Sequence, residues 1–356
     1  MLVRIVLVSM ILLGLLAACA APATPAPTPA PSAGADLSGV KSYLLDKATA
    51  LNASAAQLQA AGARYYELAE AAGFDYAALA ADPTEVAQVL SAAKTAWLAA
   101  SPTYEQMEGI VAGVPSLADF DVILDAGASG AEDPENAAPY DLTLPDGRVL
   151  ERPGNLFGVL ESALWGTEPA YKAADADLDA SGAQEFGEAL PDANVLRAAA
   201  DALVSTTAEL DSASQAWQPT ESDAFTALVV MVPTMNEYFG SWKSSRFVSG
   251  AASTQRDFVA ISRLADIQDI LSSLQVVYGG IKPLAEGVNA DQAGQIENGL
   301  ADLKAFVAGV HSQELEGKRF SAEEADLLGA EAQNRATALA GQISQLAAQL
   351  NIEIAD

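Results

Sequence analysis

Leu156-Phe-Gly-Val-Leu-Glu-Ser-Ala-Leu-Trp-Gly166 places one acid in an otherwise apolar run. Wound as a helix, the run brings Phe157, Leu160, Glu161 and Leu164 onto one face, at the i, i+3, i+4, i+7 spacing of a buried stripe. A carboxylate on such a face has to be paired, protonated or bound, because an isolated buried charge costs many kcal/mol. The segment therefore predicts a helix inside a helical core and marks Glu161 as a candidate functional residue.

Helical periodicity extends outward in both directions. Leu44, Ala48, Leu51, Ala55, Leu58, Gly62 and Tyr65 step by fours and threes, the seam of an antiparallel bundle helix. A second stripe between Phe258 and Ile281 runs through Ile261, Leu264, Ile267, Leu271, Leu274 and Tyr278. The last segment opens on Ser321 and Glu324, a capping box, and carries Leu339, Ile343, Leu346 and Leu350. Further helices are expected at 84–112, 155–166, 192–216, 221–250 and 289–312. About eight helices suffice for two packed antiparallel four-helix bundles, so the expected class is all-α, with bundle halves near 36–175 and 190–356. Alternation around Pro145-Asp146-Gly147 predicts one small β-hairpin at 140–152. The Gly- and Asp-rich loop before it, about 126–139, is expected to fold over the bundle end. Asp175, Asp177 and Asp179 resemble the start of a calcium loop, but Ala180 and Phe186 stand where glycine and glutamate are needed. That run reads as a solvated connector.

The N-terminus reads as an export signal over 1–18. Arg4 precedes an apolar run, Ile5 to Leu16, too short for a permanent span, and small residues lead to Cys19. The pattern resembles a bacterial lipobox, with cleavage before Cys19 and lipidation of its thiol. Cys19 is the sole cysteine, which excludes disulfides and cysteine-ligated metal. The Pro/Ala-rich residues 19–35 favour an extended stalk reaching about 50 Å at ~3.1 Å per residue. The expected location is extracytoplasmic, on a membrane through the lipid. With 18 basic and 47 acidic residues, the net charge of −29 repels nucleic acid and anionic lipid surfaces. It keeps an exported body soluble or favours cations.

A second acidic helix lies at 84–112, where Trp97, Tyr104 and Glu108 share a face and Glu105 lies toward its edge. Two helices each directing a glutamate into a bundle core can build a carboxylate metal site. Pairing with buried arginine is the competing reading, and Lys243, Arg246, Arg256 and Arg263 supply candidates.

The run Phe157–Gly166 resembles the signature of imelysin-like proteins, in which a Gly-Phe-His-x-x-Glu-x-x-Leu pattern recurs. Tyr104-Glu-Gln-Met-Glu108 looks like the Tyr-Glu-x-x-Glu of the EfeM/EfeO-type lipoprotein branch, and the likeness extends to the loop bearing Asp119, Asp121 and Asp125. The resemblance implies two packed four-helix bundles and a metal-linked role, in the best-known branch as an extracytoplasmic component of iron uptake that works with an iron permease or peroxidase. The motif glutamate maps onto Glu161 and the motif histidine onto Gly158, which offers no imidazole. The one histidine, His311, is far away and reads as a surface or core residue.

Three readings stay open. A metal cation, iron or another divalent or trivalent ion, is held by oxygens alone from Glu161, Glu108, Glu105 and Asp121. Alternatively a polysaccharide or other organic ligand occupies a cleft walled by Trp165, Tyr104 and Trp97 with Arg246. In the third, Gly158 marks close helix packing and the site is structural. Some imelysins are classed as peptidases. The chain has no His-Glu-x-x-His helix and no Ser/His/Asp or cysteine arrangement that one histidine completes, so a binding protein is expected rather than an enzyme.

Overall fold

A computed structural model describes residues 34–355; the expected signal peptide, Cys19 and the stalk up to residue 33 lie outside them. The seam from Leu44 to Tyr65 lies in α1 (Ser38–Ala71), and all seven of its residues are buried. Each fully buried leucine there contributes about 2 kcal/mol. After a short α2 (Tyr76–Ala81), α3 (Thr84–Val111) returns along α1. Then come α4 (Ala118–Asp121), a π turn over Val122–Ala126, and the hairpin of β1 (Leu142–Thr143) with β2 (Val149–Leu150). The register pairs Leu142 with Leu150 and Thr143 with Val149, around the turn read from Pro145-Asp146-Gly147.

The opening segment forms α5 (Leu156–Trp165). Asn155 caps its N-terminus by accepting the Gly158 N–H at 2.7 Å. Gly166, at φ 69°, ends it in the left-handed conformation that glycine adopts without a Cβ clash. Eight of its ten residues are buried, so α5 is enclosed by other elements rather than amphipathic.

Residues 170–190 are more ordered than the expected solvated connector. β3 (Lys172–Asp175) pairs antiparallel with β4 (Ala189–Pro191). Between them the Asp177 carboxylate accepts the Ser181 and Gly182 amides, and Glu188 accepts those of Leu178 and Asp179. These backbone bonds give the acidic run a fixed course that composition does not reveal.

Beyond it, α6 (Ala193–Ala216) packs on α1, where an ideal Cβ at Gly62 would lie 3.5 Å from the Ala200 Cβ. The single helix expected over 221–250 is broken. α7 (Glu221–Met231) is followed by a 3₁₀ turn at Val232–Thr234, then α8 (Met235–Ser244) and α9 (Arg246–Ser249). Pro233 causes the first break, since it lacks an amide proton and its ring crowds the preceding turn. Ser245, in extended conformation, causes the second and caps α9.

The stripe from Phe258 begins later than its periodicity predicts. Helix starts only at Arg263, capped by Ser262, and residues 257–262 form a loop with Phe258 at φ 51°. From there α10 (Arg263–Leu315) runs 53 residues but breaks at Asn289. Its arms, 263–288 and 290–315, fold back on each other: Tyr278 donates to the Ala293 carbonyl, Lys304 to Ser272, and Lys282 pairs with Glu297. α11 (Ala322–Leu350) closes the chain with the expected capping box of Ser321 and Glu324. It packs on α8 and on α10, and α3 also packs on α10. The described residues form one compact unit, all-α apart from two small β-hairpins.

Candidate cation site

Glu161 is 1% exposed, and its satisfaction comes from neither an arginine nor a hydroxyl. Oε2 accepts the Phe258 amide at 2.6 Å, and Oε1 accepts those of Val259 and Ala260 at 2.9 and 2.7 Å. The left-handed turn at Phe258 lets successive N–H groups converge on one anion. Burial pushes the carboxyl up to about 8 against the pull of the three amides. Both oxygens act as acceptors, the role of a carboxylate. Glu161 thus fastens the 257–262 loop to α5.

The unpaired charge lies nearby, on α3. Glu105 and Glu108, one turn apart, are 1% and 3% exposed. Asp121 at the end of α4 and Asp125 in the π turn are also buried, and the extra residue per turn of that π segment sets where Asp125 falls. Asp266, on the first arm of α10, is the fifth buried carboxylate of this group. One guanidinium answers them: Arg263 donates to Glu105 at 3.2 Å, Asp266 at 3.1 Å and Asp125 at 3.4 Å. Tyr238 donates to Glu108 at 2.6 Å and Tyr104 to Asp121 at 2.7 Å. Glu105 Oε2, Glu108 Oε2 and Arg263 Nε receive no partner.

Five carboxylates against one guanidinium leave four net negative charges when all are ionised. Glu105, Glu108 and Asp125 each offer an oxygen within 4.8 Å of the others. At that spacing and an effective dielectric of about 20, each like-charged pair repels by roughly 3 kcal/mol. The group therefore takes up protons or a cation. Burial, with the neighbouring acids, pushes Glu105 and Asp121 well above the usual carboxylate range. It pushes Asp125 up to about 7 and Asp266 to about 6, Arg263 working in the opposite direction. Burial also works against the Arg263 charge, but Glu105, Asp125 and Asp266 hold its guanidinium well above its ordinary value. The donors are all oxygen, a set suited to hard cations.

A cleft of about 360 Å³ leads to this group, and Glu108, Asp121, Asp125, Gly158, Asp257 and Arg263 are on its walls. Its aromatic lining is Tyr171, Tyr238 and Phe258. The residues expected to wall a ligand cleft lie elsewhere. Trp97 meets Trp165 edge-on at 5.2 Å and donates its indole N–H to the Phe157 carbonyl. Tyr104 packs on Phe157 in the core, and Arg246 covers the Phe186 ring at 3.6 Å. These aromatic rings face one another across α3 and α5, so their periodicity signals packing.

Of the expected carboxylates, Glu105, Glu108 and Asp121 come together, while Glu161 is engaged by the loop and Asp119 is exposed. Among the four basic candidates, Arg263 reaches a predicted acid; Lys243 pairs with Asp326, and Arg256 with Glu132 and Glu168. His311 faces Gln268 across the α10 hairpin. Asp266, Tyr238 and Asp257 were not singled out by the sequence. Asp266 follows Arg263 by three on a helix, the one local signal that pointed to it.

No curated protein matches the chain. The imelysin family model matches residues 42–350, from the α1 seam through the acidic helix α3 and the Glu161 helix to the end of α11, and the chain belongs to the imelysin family.

Proposed function

We propose that this protein is a lipid-anchored, extracytoplasmic binding protein that captures a hard metal cation through Glu105, Glu108 and Asp125, with Asp121 beside them, and delivers it to a membrane permease. The observation that carries this reading is the pair of buried, unpartnered oxygens, Glu105 Oε2 and Glu108 Oε2, in a group of five buried carboxyls with one guanidinium among them. A structural ion-pair network would balance its charges, because each unpaired buried ion costs several kcal/mol. Iron is the cargo we favour within the oxygen-preferring class, on the strength of the resemblance to the iron-uptake branch. The lipid anchor rests on the lipobox resemblance at Cys19; among the described residues no helix is long and apolar enough to cross a membrane.

The family model also bears a peptidase label. We read binding rather than hydrolysis because the one histidine is held by Gln268, away from the carboxylate group. Calorimetric titration of the full chain with Fe(III), Fe(II), Mn(II), Zn(II) and Ca(II), beside Glu105→Gln and Glu108→Gln, tests the proposal. The expected result is saturable binding of at least one oxygen-preferring ion that either substitution removes. Absence of heat with every ion, or wild-type binding by both variants, refutes it.

A further inference from the structure

Residue 158 is glycine inside a helix, where glycine is unfavourable for lack of a side chain and excess chain freedom. Its backbone is not among the left-handed glycines, so no turn requires it. An ideal Cβ there would lie 2.9 Å from Asp257 Oδ2 and 3.0 Å from Asn155 Oδ1. The first distance is closer than a Cβ tolerates, so the space left by the missing side chain is where the Asp257 carboxylate sits.

Asp257 is placed there by the loop. The amides of the next three residues are fastened to Glu161, which fixes the turn that Asp257 begins. Its carboxylate is on the wall of the cleft together with Glu108, Asp121 and Asp125. It also faces a smaller void behind, shared with Asp125, Glu161 and Asp266. No side chain of another described residue donates a hydrogen bond to it, and Arg256 and Arg263 act on it only through their charge. Unlike Glu105, Glu108 and Asp125, whose oxygens lie within 4.8 Å of one another, it is outside that set and partly open to solvent, on the cleft side of the group.

We propose that Asp257 is the loop-borne ligand of the cation site, seated against Gly158, and that it supplies a further carboxylate oxygen to an oxygen-preferring divalent or trivalent ion held by Glu105, Glu108 and Asp125. The inference rests on the cation reading above and adds a ligand to it. Hard cations take six or more oxygens, water included, so three carboxylates leave room for a fourth. Glu161 then acts as a positioning residue: it holds the loop that presents Asp257 and does not touch the ion itself.

The test is titration of the full chain with Mn(II) and with Tb(III), fold being checked by circular dichroism. Asp257→Asn is expected to weaken both ions about tenfold or more. Gly158→Ala is expected to weaken them comparably, by pushing the carboxylate off its seat. The double variant is then no weaker than Asp257→Asn alone, since both changes act through one group. Unchanged affinity in Asp257→Asn, with binding lost in Glu108→Gln, overturns this inference and leaves the cation reading standing. Wild-type affinity in Glu108→Gln overturns both. Fully additive losses in the double variant overturn the seating of Asp257 by Gly158.

Discussion

Glu161→Gln separates a loop fastener from a metal ligand. The substitution keeps the side-chain volume and one carbonyl oxygen. Oriented to serve Val259 and Ala260, that carbonyl leaves an NH2 group facing the Phe258 amide, where a carboxylate oxygen now accepts at 2.6 Å. Two donors then face each other in a buried place, and an unsatisfied amide costs about 2 kcal/mol. The two retained bonds change from charge-assisted to neutral, a further loss of about 2 kcal/mol. Relief of a buried carboxylate, which burial raises from 4.5 to about 8, offsets about 3 kcal/mol at neutral pH. The net expectation is a destabilisation of about 1 kcal/mol. Urea unfolding of the metal-free protein at neutral pH measures it. Hydrogen exchange locates it, because the Phe258, Val259 and Ala260 amides should lose protection before the rest of the body. If stability and exchange match the wild type while cation binding disappears, Glu161 is a ligand and the fastener argument is wrong.

Arg263→Gln removes the guanidinium that answers Glu105, Asp125 and Asp266, and should destabilise by about 3–5 kcal/mol at pH 8. Much of that loss should be regained at pH 5, where the carboxyls take protons. A loss of equal size at both pH values would count against the electrostatic argument. The wild-type protein, stripped of metal by a chelator, has its own pH signature. Asp125 at about 7 and Asp266 at about 6 in the fold lie above their ordinary 3.8, so across roughly pH 4–7 the native state binds protons that the unfolded chain has released. Their stabilising contribution is complete below about pH 4 and lost as the pH rises through 6 and 7. The metal-free protein should therefore unfold more readily at pH 8 than at pH 5, and Asp125→Asn should flatten the difference. Cation affinity should rise over the same window, since ion and proton compete for the same oxygens. A pH profile that Asp125→Asn leaves unaltered would contradict the assignment.

Much of the fold was legible because it follows from local periodicity. The α1 seam, the capping box at Ser321 and Glu324, and the hairpin around Asp146-Gly147 each depend on residues within one turn or one loop. The stripe from Phe258 misled for the same reason. Its apolar spacing suits a helix, but the Phe258, Val259 and Ala260 amides bond to a carboxylate 97 to 99 positions away instead of to carbonyls of a preceding helical turn. Glu161 offers a charge-assisted acceptor to amides that in a helix N-terminus would have none. Likewise, Pro233 was visible in the sequence, but a long apolar pattern hid the break it makes.

The sequence by itself determined an all-α body with acids on buried faces at Glu161 and Glu108 and a third, Glu105, toward the edge of one, because helical spacing assigns faces and an acid on a buried face needs a partner. Which partner each acid found was decided by tertiary structure. Helix α3, the π turn and the start of α10 bring Glu105, Glu108, Asp125, Asp266 and Arg263 together from three separate stretches of chain. The charge imbalance that makes a cation site exists only after that convergence. No spacing along the chain encodes it, since Coulomb energy depends on distance in space and on the water excluded between the groups.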